Sequence, residues 1–165
     1  MKWNLKSLAK EVVVGAVLLL LFSNLISYLR KPELSSTQLP NLQVQLLDAS
    51  RYSPIVGKPL VLHFWATWCP TCKLEASNIE AISKKYEVLT IAVNSGSNAK
   101  IKAYMTQRDL SFRVVNDSDG KWARQFKVEA YPTTFIYDAR GELKFTEVGY
   151  TSTIGLFTRM RVLGF

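Results

Sequence analysis

Cys69 and Cys72 are the only cysteines in a chain of 165 residues. They stand two residues apart in Trp68-Cys69-Pro70-Thr71-Cys72, where an apolar run gives way to a helix-like pattern. Three chemistries use such a pair. As a structural staple it would contribute only about 2 kcal/mol, because the closed loop is so short. As a metal site its soft thiolates could hold copper(I) or zinc with a third ligand. There is no second cysteine pair, however, His63 is the single histidine, and Met1, Met105 and Met160 lie far off in the sequence. The third chemistry is thiol-disulfide exchange, which needs an accessible thiolate of lowered pKa. A cysteine at a helix N-terminus meets unpaired N–H groups and the positive end of the helix dipole. Cys69 is then the nucleophile, and Cys72, one turn in, resolves the mixed disulfide. Pro70 suits the first helical turn, where a missing N–H costs little. The redox-active pair Cys69–Cys72 would need no cofactor and no metal.

Two other titratable residues lie near in sequence. Glu75, three residues after Cys72, shares its helical face. A carboxylate there can accept a proton from the resolving thiol and disfavours a second negative charge; it can equally be a solvated Glu favoured by the dipole. His63 falls on the strand face of Val61 and Trp65. A neutral imidazole there could exchange protons with Cys72, or simply be a satisfied core residue. Trp68 is expected to shield the dithiol, and Trp65 to be core.

The elements that must carry these residues can be read from periodicity. Residues 42–46 alternate as a half-buried strand suited to a sheet edge, and 48–58 read as a loop. The run 60–66, broken only by His63, fits a central strand covered on both faces. Leu74, Ile79, Ile82 and Tyr86 predict a helix of about four turns after the dithiol, and 88–93 a second buried strand. Strand, helix, strand implies parallel pairing with a right-handed crossover. Ile101, Tyr104 and Met105 predict another helix, 112–115 a short strand, and Trp122 and Phe126 a short helix after the turn at 117–120. Strands over 133–137 and 143–148, joined by a tight turn, must be antiparallel. Ile154, Phe157 and Met160 predict a final helix.

The amino terminus is of another kind. Residues 12–29 are apolar except for Gly15, Ser23, Asn24, Ser27 and Tyr28. As a helix, roughly 18 residues rise about 27 Å, near the roughly 30 Å of a bilayer's hydrocarbon core. Lys2, Lys6 and Lys10 before the run place the amino end in the cytoplasm and the rest outside. With no convincing small-x-small cleavage site, the expectation is an uncleaved anchor over 1–29, then a tether over 30–40 and a domain over 41–165. The formal charge of +8 comes from scattered Lys and Arg, without a basic block interleaved with aromatics, so nucleic acid is not an expected partner. A basic exported surface suits anionic lipid headgroups instead.

Phe64-Trp65-Ala66-Thr67-Trp68-Cys69-Pro70-Thr71-Cys72, followed much later by Ala130-Tyr131-Pro132-Thr133-Thr134-Phe135, resembles the thioredoxin fold. The likeness is to its membrane-tethered branch, of the TlpA, ResA and CcmG (DsbE) type, with the suppressor-of-copper-sensitivity group as one match. It implies an α/β fold with a central mixed sheet flanked by helices, here behind one N-terminal transmembrane helix. It also implies a cis bond before Pro132, which would lie against the dithiol and leave Tyr131 backbone groups free for an incoming peptide, with Thr133 beside them. ResA-like members carry an acid at the position of Glu75. Thioredoxin itself carries a buried acid at the position of His63, and its absence here departs from the usual proton-transfer assignment. Thr133 departs from the Glu that cytochrome c maturation members place after the proline, which weakens that alternative. The function implied is a periplasmic reductant of disulfide-bearing proteins, single-pass in the bacterial inner membrane and recharged by a DsbD-type transmembrane electron donor.

Overall fold

The computed structural model describes residues 5–34 and 36–164, with the side chains of 5–7, 20, 23, 24 and 26–29 outside the description. Its centre is β3 (Leu60–Trp65), buried at all six positions, because sheet neighbours flank it and helices cover its faces. The parallel neighbour is β4 (Glu87–Val93), reached through α2 (Pro70–Ser83). β5 (Arg113–Asp117) follows α3 (Asn98–Gln107) and pairs parallel to β4. On the other side, β6 (Thr133–Tyr137) runs antiparallel to β3, and β7 (Leu143–Val148) antiparallel to β6. The sheet order is therefore β5-β4-β3-β6-β7, the mixed sheet expected. The short helix α4 (Lys121–Gln125) precedes β6, and α5 (Thr153–Val162) ends the chain.

Each sheet face has its own apolar layer. Val61 and Trp65 pack with Ile79 and Ile82 of α2 and with Leu156 and Met160 of α5. Leu62 and Phe64 pack with Phe126 and Phe135 on the opposite face. Burying each such side chain stabilises the fold by about 1.5–3 kcal/mol.

The expected edge strand over 42–46 is corrected. Leu42 and Val44 are buried and Gln43 and Gln45 exposed, so the alternation is real, but β1 is only Val44–Gln45. It pairs with β2 (Arg51–Tyr52), inside the expected loop, as a separate two-stranded sheet. The chain turns back too soon for a longer strand: Ala49 adopts φ 70°, and Leu46 N–H donates to the Ser50 carbonyl at 2.9 Å.

The first helix, α1, spans Leu5–Leu29 and starts ahead of the apolar run. Val13, Leu18, Leu19, Leu21 and Phe22 are exposed on it. Among the described residues no helix is long and apolar enough to cross a membrane, so the structure does not show the expected span. Part of that expectation, the side chains of Lys2, Lys6, Ser23, Asn24, Ser27 and Tyr28, lies outside the described residues. The segment expected as a tether joins the domain at its far end. Leu39 N–H donates to the Gly141 carbonyl and Leu143 N–H to the Thr37 carbonyl, each at 2.7 Å.

Candidate active site

The site forms where β3 ends and α2 begins. Cys69 is the N-cap of α2, with extended backbone (φ −80°, ψ 117°), and Pro70 follows as the first helical residue. The two sulfurs are joined as a disulfide. Cys72 N–H donates to Cys69 Sγ at 3.1 Å, so a sulfur takes the place of the oxygen that usually caps a helix. On reduction this N–H and the helix dipole would favour the thiolate at Cys69. Thr71, half-buried, sits between the two.

The second wall is the loop before β6. The Tyr131–Pro132 bond is cis, Pro132 is buried, and the Tyr131 carbonyl oxygen lies 3.6 Å from Cys69 Sγ. Trp68, 55% exposed, covers this junction. Its indole N–H donates to the Asn94 carbonyl at 3.1 Å, and its ring meets that of Tyr131 edge-on with centroids 5.7 Å apart. Trp65 is core, its N–H given to Thr90 Oγ1 at 3.0 Å. Thr133 is buried and donates its hydroxyl to the Ala130 carbonyl at 2.8 Å. That bond shapes the loop next to Tyr131 and Pro132.

Two titratable residues are buried in the elements that meet at the dithiol, Glu75 on α2 and His63 on β3. Glu75 is fully buried, which removes its reading as a solvated first-turn residue. Thr151 N–H donates to its Oε1 at 3.0 Å, while Oε2 has no partner among the described residues. Burial pushes its carboxyl up to about 8, the Thr151 N–H opposes this, and the Glu147 carboxylate adds to it. His63 is buried, its Nδ1 2.9 Å from Thr134 Oγ1. Desolvation of the cationic form pulls it down to about 3, so the ring is neutral and a hydrogen-bonding member of the core. Among the described residues no three His, Cys, Asp or Glu side chains are grouped to hold a metal ion.

Sequence reading missed the residues that hold Glu75 and His63. Thr151 is 76 positions from Glu75, and Thr134 is 71 from His63. Asn78, one turn after Glu75, reinforces the first contact by donating to the Thr151 carbonyl at 2.9 Å and accepting from Thr153 Oγ1 at 2.8 Å. No local period encodes these pairs. Only the strand order would have pointed to Thr134.

The profile of the AhpC/TSA family matches residues 33–146. The chain belongs to the AhpC/TSA family. This family member is 27% identical over 162 residues to a thioredoxin-like protein of Haemophilus influenzae, covering 95% of each chain. It is 29% identical to the thiol-disulfide oxidoreductase ResA of Bacillus cereus, over 80% of this chain and 79% of that one. The fold is similar to that of a thioredoxin-family thiol:disulfide interchange protein from Chlorobium tepidum, with a TM-score of 0.70 at 24% identity, over 79% of this chain and 98% of that chain. With its relatives so named and its two cysteines disulfide-bonded, this AhpC/TSA member is a thioredoxin-like thiol-disulfide oxidoreductase.

Proposed function

We propose that the protein is a membrane-held, periplasmic reductant of disulfides in partner proteins. The observation that carries the redox step is the placement of Cys69 Sγ at the N-terminus of α2, bonded by Cys72 N–H and facing Tyr131 and Pro132. In the reduced protein the Cys69 thiolate attacks one sulfur of a partner disulfide. A new sulfur–sulfur bond forms to Cys69 and the partner's second sulfur leaves as thiolate. Cys72 then gives up its proton and attacks Cys69 Sγ, releasing the partner's first sulfur and closing the Cys69–Cys72 disulfide. Two electrons pass to the partner, which takes up two protons. Glu75, one turn from Cys72 and buried, is the group placed to receive the Cys72 proton when its carboxyl is ionised. The Tyr131 backbone would pair with the partner's extended chain beside its cysteine.

The protein must be re-reduced after each turnover, and a DsbD-type transmembrane dithiol donor is the reductant that suits an exported site. The anchor is supported by the apolar run 12–29, by the Lys residues ahead of it, and by the apolar side chains α1 leaves exposed. The experiment is trapping in cells. Cys72→Ala is expected to accumulate mixed disulfides through Cys69, and Cys69→Ala to accumulate none; equal trapping by both would reverse the assigned order. Alkylation of wild-type cells should find the pair mainly reduced, and a mainly oxidised pair would make the protein an oxidant instead.

A further inference from the structure

The turn that delivers Cys69 is pinned from the side by a residue the exchange step leaves unused. Cys69 N–H donates to the Ala66 carbonyl at 3.2 Å, which closes a turn over residues 66–69 with Thr67 and Trp68 at its centre. Both central residues give a hydrogen bond outside the turn, and both bonds end on the loop after β4. Thr67 N–H donates to Ser95 Oγ at 3.0 Å, and the Trp68 indole N–H to the Asn94 carbonyl at 3.1 Å. Ser95 Oγ donates in turn to the Val93 carbonyl at 3.1 Å. Register sets Trp65 of β3 beside Ala92 of β4, so the two parallel strands end side by side. The Ser95 hydroxyl bridges their exits.

The loop that carries this hydroxyl is itself fixed from β5. Asn94 takes a left-handed conformation, φ 45°, which asparagine tolerates better than most residues. Its N–H donates to the Asp117 carbonyl at 3.0 Å, and the Gly96 carbonyl accepts from Asn116 Nδ2 at 3.0 Å. Between them Ser95 is 5% exposed. A hydroxyl can accept from an N–H and donate to a carbonyl at once, which no apolar side chain replaces. On its far side the same turn meets the Tyr131 loop, through the edge-on ring contact of Trp68 and the approach of the Tyr131 carbonyl to Cys69 Sγ at 3.6 Å. A shift of the turn would move Trp68 and Cys69 together against that wall.

We propose that Ser95 is a positioning residue for disulfide exchange, its hydroxyl locking the 66–69 turn so that Trp68 and Cys69 stand in fixed register with the loop along which a partner chain must lie. This rests on the reading of Cys69 as the attacking sulfur. Ser95 acts through Thr67 and Trp68. The Cys72 N–H that caps Cys69 Sγ lies within α2, so placement of the sulfur and formation of its thiolate are separable, and Ser95 governs the first.

The test compares Ser95→Thr with Ser95→Val in the reduced full chain. The two replacements add the same bulk, so their difference reports the hydroxyl. S95V should reduce the disulfides of insulin roughly fivefold more slowly than S95T, the scale of one hydrogen bond, with both measured well below their urea midpoints so that unfolding does not enter. Alkylation of Cys69 by iodoacetamide should show the same pH midpoint in both. The Trp68 indole N–H, assigned in NMR spectra by its loss in Trp68→Phe, should exchange with solvent faster in S95V than in S95T. Equal rates on insulin, equal protection of the indole, or a displaced alkylation midpoint would each overturn the proposal, the last by making Ser95 act on ionisation instead of placement. Insulin reduction by Cys69→Ala is measured separately: activity retained there would remove Cys69 as the attacking sulfur, while the indole signal would still decide whether Ser95 holds the turn.

Discussion

At the scale of single residues, Glu75 is a buried acid held close to neutral in the resting protein. Because its folded pKa, about 8, lies above that of an unfolded chain, its contribution to stability is fully present below pH 4.5 and is lost as pH rises through 8. His63 works the other way: its folded pKa, about 3, lies below the unfolded value of 6.5, so its contribution is present above pH 6.5 and is lost as pH falls. Glu75→Gln should therefore flatten the loss on the alkaline side and leave the variant more stable than wild type at pH 8, by on the order of 3 kcal/mol. Urea midpoints of the oxidised proteins at pH 5 and pH 8 would check it; the same pH dependence in both would contradict the assignment. A stabilising substitution at a candidate active-site position is what a functional residue held under an energetic cost should show.

At the scale of elements, the helices are held by end groups that can be read one at a time. Ser97 caps α3 and Ser152 caps α5 through their side-chain oxygens. α4 lacks a side-chain cap at Gly120 and draws instead on Asp117, at the end of β5. Its buried carboxylate accepts from Trp122 N–H at 3.0 Å and Ala123 N–H at 2.9 Å. Asp117→Ala should cost about 1–2 kcal/mol, the range for a lost cap, measured as a lowered urea midpoint. Since α4 leads into the Tyr131–Pro132 loop, the same variant should also slow disulfide exchange; a loss of stability with unaltered exchange would separate α4 from the site. Within α2 the same end-group logic has chemical force, because the cap is the sulfur of Cys69.

At the scale of the whole molecule, the question is how the domain hangs from α1. The segment 37–39 is stitched to the β6–β7 turn, with Gln38 donating through Nε2 to the Arg140 carbonyl at 2.8 Å. Gly141 adopts φ 74°, and a Cβ there would meet Gln38 Nε2 at 2.9 Å. Gly141→Ala should therefore destabilise by about 1 kcal/mol or more, from backbone strain and the displaced Gln38, seen as a lowered melting temperature. If α1 is an anchor, the full chain should resist alkaline carbonate extraction from membranes, and release into the supernatant would remove the anchored reading.

By itself the sequence determined what short range decides. The spacing of Cys69, Pro70 and Cys72 marked a helix start with a sulfur at its cap, since capping and dipole act within one turn. Apolar periods placed β3, α2, β4, β6, β7 and α5, since each buries its own stripe or face. The turn at Ala49 shortened β1, because local backbone geometry outweighed an alternating pattern. Only the tertiary structure decided the surroundings of the dithiol-bearing elements: the burial of Glu75 with Thr151 and the bond from His63 to Thr134. Those contacts depend on strand order and register, which bring together residues tens of positions apart, and the burial that sets their proton affinities exists only once the sheet and helices have closed over them.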